Sequence, residues 1–234
     1  MGLVACVGIV AVLHSMSLPL SSEWNDYEAF QKGRDTKCYA QAEITADMNA
    51  NETIPKLKSR YLKPAEQGDA FAQYCLANYY QVGTHIGGGE DYVLAAKWLQ
   101  LAAKQGDRYA QYNLAHLYDV GLISKNPVEA FKWFLLAAEQ GDGRAQLAIG
   151  YIYHGGAPSY GATVKEDQVA ARKWFLLAAN QGDPTAQYWI GYLHENGLGG
   201  NVDYALARKW YNRAVKQGFE PAQQNLAGLK LRNK

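Results

Sequence analysis

The chain has 234 residues, of which 48% are apolar and 12% aromatic, enough to bury the core of one large or two small domains. Because 23 basic side chains balance 22 acidic ones, the formal net charge of +1 excludes a global field that recruits nucleic acid or anionic lipid. We therefore expect no nucleic-acid partner.

Residues 1–22 differ in composition from the rest of the chain. An apolar run from Leu3 to Leu13 precedes small and polar residues, which is the pattern of a signal peptide and its cleavage zone. The first basic side chain is Lys32, so the positively charged segment that normally opens a signal peptide is missing. One alternative is a membrane anchor over residues 3–20, a stretch just long enough to span a bilayer, and another is neither of the two. Membrane contact is expected only through this segment, if it is retained.

Residues 23–68 form a weakened copy of the repeat that follows, and we predict that they are a degenerate N-terminal capping repeat. The segment around Ala29 and Gly33 predicts a first helix, and residues 57–68 predict a second.

Three cysteines are too few for a disulfide framework. Once the leader is removed, only Cys38 and Cys75 remain. They either form one bridge in an oxidising compartment or stay as two buried thiols.

From residue 69 to residue 218 the chain repeats one pair of segments four times. The first segment is exemplified by GDRYAQYNLAHLYDVG from Gly106, and the second by AFKWFLLAAEQG from Ala130. In every copy, 11 residues separate the alanine of a segment from its closing glycine, in the first segment and in the second. All variation in length lies in the connection between the two segments, which spans 12, 9, 15 and 10 residues. Segments of constant length joined by a connection of variable length predict stacked helix pairs.

Both segments have helical periodicity and helical punctuation. Apolar or small residues recur three, four, seven or eight positions apart, so each segment has one wide apolar stripe. Glycines are predicted to end the second helices, at Gly68, Gly106, Gly141 and Gly182. Aspartates are predicted to cap the next helices, at Asp69, Asp107, Asp142 and Asp183. Four tryptophans in one register are predicted to lie in the core: Trp98, Trp133, Trp174 and Trp210.

Small residues in the first helices, such as Gly150 and Gly191, are predicted to let two backbones approach, with a Tyr or Trp of the partner helix filling the gap. Residues 219–234 are predicted to be a C-terminal capping helix, over 221–231, and a tail.

The repeated pattern A-x3-L-[GA]-x2-Y-x2-G, a variable loop, then A-x2-W-x3-A-A-x2-G resembles the Sel-one-like repeat (SLR) family, which is related to tetratricopeptide repeats. The resemblance implies an all-α fold, a right-handed superhelical solenoid of stacked antiparallel helix pairs. It also implies a non-catalytic adaptor or scaffold that holds partner proteins together. Many members are exported by bacteria, so together with the leader we expect a periplasmic or secreted protein.

In related helical arrays the first helices line the concave side, where a partner polypeptide docks. Aromatic, amide and imidazole side chains at three positions of these helices point away from the apolar stripe, and we predict that they bind the partner: Tyr74, Asn78, Tyr112, Asn113, His116, Tyr151, Tyr188, Trp189 and Tyr192. The alternative is that several of them pack against the adjacent repeat. A ladder of lysines on the second helices is predicted to be a solvated ridge: Lys97, Lys132, Lys173 and Lys209.

No constellation in the sequence predicts catalysis, a metal or another cofactor. The five histidines lack ligand spacing, and no Cys-x2-Cys is present. Some cysteine-rich SLR proteins have been described as β-lactamases, but this chain has no Ser-x-x-Lys and no Lys-Thr-Gly. We therefore predict that the protein is not an enzyme. The rival functions are a structural protein bound to an envelope glycan or peptidoglycan and a hydrolase of the β-lactamase kind.

Overall fold

The computed structural model describes residue 38 and residues 50–82, 91–155, 160 and 164–232. These residues form helices and short turns and contain no strand, which confirms the predicted all-α class. The described residues fall into two compact units, the first ending at Trp133 and the second beginning at Phe134. None of the helices in the described part of the chain has the length and apolarity needed to cross a bilayer.

In the first unit each of the first three helices packs against the next one along the chain. Its helices are α1 (Ala50–Glu66), α2 (Ala70–Val82), α3 (Tyr92–Lys104), α4 (Arg108–Val120) and the first part of α5 (Pro127–Glu139). The second unit holds the rest of α5 and then α6 (Gly143–Tyr153), α7 (Gln168–Asn180), α8 (Pro184–Asn196), α9 (Tyr204–Lys216) and α10 (Glu220–Arg232). From α6 onward, each helix again packs against its successor.

The predicted helix ends are confirmed. The closing glycines Gly68, Gly106, Gly141 and Gly182 have φ between 84° and 101°, a left-handed conformation that a residue with a Cβ adopts only under strain. The aspartate after each of them accepts hydrogen bonds from the next helix; Asp107, for example, accepts from the backbone nitrogens of Tyr109 at 3.1 Å and Ala110 at 2.9 Å. Asp69, Asp142 and Asp183 cap their helices in the same way.

A chain of glutamine amides links the helices within each unit. Gln187 of α8 donates from Nε2 to the carbonyl of Ala179 at the end of α7, at 3.3 Å. Its Oε1 accepts from Nε2 of Gln217 at the end of α9, at 3.0 Å. Corresponding links join Gln73 to Ala65 and Gln105, and Gln146 to Ala138 and Gln181. Since Gln73, Gln146 and Gln187 are buried, the links satisfy polar groups that would otherwise lose their water.

In three of the second helices the residue after the tryptophan is fully buried. Leu99, Phe175 and Tyr211 are all 0% exposed. Trp133 and Trp210 are buried as predicted, whereas Trp98 and Trp174 are only half-buried. The prediction that all four tryptophans lie in the core is therefore wrong for Trp98 and Trp174, which lie at its edge.

The N-terminal part of the described chain is tied down covalently. Cys38 and Cys75 form a disulfide with Cα atoms 5.6 Å apart, and both residues are buried. The hydroxyl of Tyr61 in α1 donates to the carbonyl of Cys38 at 2.7 Å. The predicted leader over residues 1–22 and the helix predicted around Ala29 lie outside the described residues.

Candidate partner-binding surface

The predicted binding residues of the first unit are mostly inside the protein. Tyr74 is 1% exposed, Tyr112 8% and Asn113 5%, so packing takes up nearly all of their surface. Asn78 and His116 are partly exposed, and the ring of His116 stacks on Tyr112 with centroids 6.3 Å apart. For the three buried residues, the alternative of packing within the repeat array describes their position better than partner contact does.

The predicted residues of the second unit come together and stay partly exposed. The indole nitrogen of Trp189 donates to the hydroxyl of Tyr151 at 2.7 Å, and the two rings meet edge to face at 5.4 Å. On the other side, Trp189 contacts Tyr188 at 5.6 Å and Tyr192 at 5.4 Å, both nearly perpendicular to it. Residues from α6 and α8, which are 38 positions apart in the chain, thus share one surface.

A glycine positions this surface. A Cβ added at Gly150 of α6 would lie 2.6 Å from the ring of Phe175, so α6 and α7 approach closely only because Gly150 has none. Phe175 then stacks on Trp189 with centroids 5.7 Å apart and planes at 10°, and contacts Tyr151 edge to face at 5.3 Å. The predicted close approach is confirmed here, but the filling residue is a Phe rather than a Tyr or Trp. At Gly191 the filling residue is Tyr211, as predicted.

His154 joins the surface, and the sequence analysis did not include it among the binding residues. It follows α6 as the C-cap, and its ring lies 4.9 Å from Trp189 and 6.3 Å from Tyr192. Its Nδ1 lies 2.7 Å from Oε1 of Gln168 in α7. The only signal for it in the sequence was its position three residues after Tyr151, one helical turn further along the same face. We call Tyr151, His154, Tyr188, Trp189 and Tyr192 the aromatic cluster.

A buried hydroxyl supports the Tyr188 end of the cluster. Tyr211 of α9 packs 5.7 Å from Tyr188, donates its hydroxyl proton to Glu195 at 2.7 Å and accepts from Asn225 at 3.0 Å. Burial raises the pKa of Tyr211 far above its ordinary value, and burial also raises the pKa of Tyr188. Both phenols therefore stay neutral and act as hydrogen-bonding groups rather than as bases.

A second histidine, His194, lies in the last turn of α8. His194 is buried, and Nη2 of Arg172 lies 2.6 Å from its Nδ1. Burial lowers the pKa of His194, and the positive charge of Arg172 lowers this pKa further. The imidazole is thus neutral near pH 7 and serves as a packed partner of Arg172.

No other arrangement of side chains in the described residues suggests chemistry. Within residues 38, 50–82, 91–155, 160 and 164–232, no group of three or more His, Cys, Asp and Glu side chains could hold a metal ion. The predicted lysine ridge is exposed at all four positions, Lys97, Lys132, Lys173 and Lys209.

The comparisons with known proteins agree with this architecture. The Sel1 repeat family model matches residues 70–107, 108–142, 143–183 and 184–219, which together make up more than half of the chain. Among curated proteins, none matches.

Two solved structures are similar over most of the chain. One is a Sel1 repeat protein from Oxalobacter formigenes, with 28% identity and a TM-score of 0.69, covering 83% of this chain and 72% of that one. Another is a protective antigen present in uropathogenic Escherichia coli strains that displays an SLR fold, with 30% identity and a TM-score of 0.69. That match covers 90% of this chain but 44% of the antigen, so the chain spans less than half of its length.

Proposed function

Because the chain belongs to the Sel1 repeat family, whose members are generally protein-interaction scaffolds, we propose that it is an exported, non-catalytic adaptor that binds a partner polypeptide through its aromatic cluster. The partner lies on the face of the first helices, which is the face predicted to be concave. The observation that carries the proposal is the meeting of four predicted binding residues, Tyr151, Tyr188, Trp189 and Tyr192, on one partly exposed surface.

The chemistry of this surface suits polypeptide capture. Large aromatic side chains with a polar edge supply most of the binding energy at protein interfaces, because they remove much apolar area from water at a small entropic cost. The rings are already held in place before a partner arrives, by the hydrogen bond from Trp189 to Tyr151 and by Phe175 beneath them. Pre-organisation reduces the ordering cost of binding.

The disulfide supports the exported location. Disulfides persist in oxidising compartments and are rare in a reducing cytosol. The bridge between Cys38 and Cys75 is buried and ties the segment before α1 to α2, so it serves the fold rather than redox chemistry. Export predicts that a thiol-alkylating reagent applied to denatured protein from its native host modifies neither cysteine before reduction and both afterwards. Alkylation without reduction would contradict the exported location.

Site-specific photocross-linking in the native host tests the binding surface. A benzophenone amino acid placed at Tyr192 should yield one discrete adduct with a polypeptide, and the same group at Lys173 on the exposed ridge of α7 should not. Adduct formation from both sites alike would contradict a localised surface. An adduct that glycan-degrading enzymes remove and proteases leave would favour the glycan-binding alternative.

The β-lactamase-like rival is tested by turnover. The purified chain should hydrolyse neither β-lactams nor simple esters above the rate of a variant in which His154 and His194 are both replaced by Gln. Turnover that disappears on mutation of a single residue of the surface would overturn the proposal.

A further inference from the structure

We propose that the aromatic cluster recognises a guanidinium group, the side chain of an arginine on the partner. This inference rests on the proposed function and names the chemistry that the same surface reads. Three observations support it: the arrangement of the rings of His154, Trp189 and Tyr192, the hydrogen-bond acceptor on His154, and the charged side chains nearby.

Three rings form a corner that suits a cation. His154, Trp189 and Tyr192 lie 4.9, 5.4 and 6.3 Å apart pairwise, with their planes at 59°, 76° and 85°. All three are partly exposed. The faces of Trp and Tyr carry negative charge density and attract a cation held within about 6 Å of the ring centre. Rings that meet at steep angles present a face and an edge to the same small volume.

The hydrogen bonds of Gln168 fix which nitrogen of His154 carries the proton. Nε2 of Gln168 donates to Oε1 of Glu166 at 2.5 Å and to the carbonyl of His154 at 3.4 Å. The amide oxygen of Gln168 is therefore the atom that lies 2.7 Å from Nδ1 of His154. Since an amide oxygen only accepts, Nδ1 carries a proton, and in that tautomer Nε2 is an acceptor. Among the described residues, no hydrogen bond engages Nε2.

The charges around the corner favour a cationic ligand. The carboxylate of Glu166 accepts from Gln168, the residue that contacts His154. It also lies beside Gly155, because a Cβ added there would be 3.1 Å from Oε2 of Glu166. At the other end, Glu195 accepts from Tyr211. The nearest arginine of α7, Arg172, is directed at His194 and lies within 2.6 Å of its ring nitrogen. One carboxylate thus lies at the His154 end of the corner, and another lies near Tyr188 at the far end of the aromatic cluster.

An arginine matches this set better than a lysine. A planar guanidinium stacks on an aromatic face while its in-plane N–H groups donate to acceptors at the side, here Nε2 of His154. An ammonium group is a compact charge that stays strongly hydrated and does not stack.

The test uses the full-length protein and three small probes: the N-acetyl methylamides of arginine, of citrulline and of lysine. Citrulline has the shape of arginine but no charge. Binding is followed through the NMR signal of the Trp189 indole N–H, which the Trp189→Phe variant identifies. We expect the arginine probe to shift this signal saturably and to bind about fivefold more tightly than citrulline, the factor for one cation–π contact.

Variants separate recognition from folding. His154→Phe keeps the ring but removes the acceptor, and we expect it to weaken arginine binding about tenfold. Tyr118→Phe, which changes a partly exposed tyrosine of α4 outside the predicted binding residues, should leave the affinity unchanged. Equal binding of citrulline and arginine, no shift up to about 50 mM probe, or an unchanged affinity in His154→Phe would each overturn the inference.

The outcome is distinguishable from failure of the proposed function. If the cross-link from position 192 forms in the native host but His154→Phe does not reduce it, the adaptor function stands and arginine recognition is wrong. If no cross-link forms, the adaptor function itself fails, whatever the small probes do.

Discussion

The two units of the molecule use the same repeat but differ in where their aromatic side chains lie. In α2, the position five residues after the repeat alanine is Ala77, and in α3 the residue after the tryptophan is Leu99. In α6 and α7 the same two positions are Gly150 and Phe175. Compared with α2 and α3, α6 thus lacks the methyl group of an alanine, and α7 has an aromatic ring in place of a leucine side chain.

This exchange decides where a binding surface can form. The ring of Phe175 needs the space left by Gly150, and once in place it supports Trp189 and Tyr151 from below. In the first unit the corresponding residue is a leucine, which offers no face for stacking, and Tyr74 and Tyr112 are buried. The pair Gly150 and Phe175 thus accompanies the partly exposed cluster, whereas α2 and α3 have Ala77 and Leu99.

Phe175→Ala should have the largest effect on the difference between the two units. Because Phe175 is fully buried and supports the cluster, we expect the free energy of unfolding to fall by about 3–5 kcal/mol. Trp189 should also lose its stacking partner, so that its fluorescence changes in the folded state. Leu99→Ala, the matched change in the first unit, should destabilise without altering Trp189. Chemical denaturation followed by circular dichroism and fluorescence checks both; an unchanged Trp189 in Phe175→Ala would contradict the supporting role.

The glutamine links should behave alike in the two units. Gln73→Ala and Gln187→Ala each remove a donor to a buried carbonyl and an acceptor for a second glutamine. We expect each to lower the free energy of unfolding by about 2–3 kcal/mol, since unsatisfied buried groups add to the lost packing. Gln105→Ala and Gln217→Ala, which leave the inner link intact, should cost less in denaturation experiments. A large difference between the two units would show that the links are not equivalent.

Gly150→Ala tests whether residues 150 and 175 share one space, because a smaller residue at position 175 should compensate for it. The new Cβ would meet Phe175 at 2.6 Å, and overpacking of this kind costs about 1–3 kcal/mol, offset by the better helix propensity of alanine. We expect a net loss of about 1–2 kcal/mol. The double variant Gly150→Ala/Phe175→Leu recreates the Ala77/Leu99 pair and should recover most of that loss, which a double-mutant cycle measures. Additive losses would contradict a shared space.

The smallest effect concerns His194, which stands where the first unit has Tyr80 and Tyr118. Burial and Arg172 lower the pKa of His194 in the folded protein, so the folded state takes up a proton less readily than the unfolded state. Its stabilising contribution is complete above a pH of about 6.5 and declines as the pH falls below that value. The slope stays below the about 1.4 kcal/mol per pH unit of a full proton.

His194→Gln should flatten this acidic decline in unfolding experiments between about pH 7.5 and about pH 5.5. Tyr118→Phe, at the matching position of the first unit, serves as the control for the substitution itself. An identical pH dependence of the wild-type protein and His194→Gln would refute the assignment.

Residues that act through local rules were predictable from the amino-acid order. Glycine is the residue that enters the left-handed region without strain, and an aspartate after it reaches the free backbone nitrogens of the next turn, so the ends at Gly106 and Asp107 followed from the pattern. The same periodicity predicted the helices, the all-α class and the family resemblance. It also placed Tyr151, Tyr188, Trp189 and Tyr192 away from the apolar stripe of their own helix.

Tertiary structure alone decided which of those residues remain accessible. A helix has neighbours on two sides, and a periodic pattern describes only the side that faces its own partner, so the burial of Tyr74 and Tyr112 could not be distinguished from the exposure of Tyr192. The approach of His154 to Trp189 and the entry of Phe175 beside Gly150 depend on distances between residues of different helices, which their spacing along the chain does not determine. Local chemistry therefore determined the repeat, and packing between repeats determined the surface.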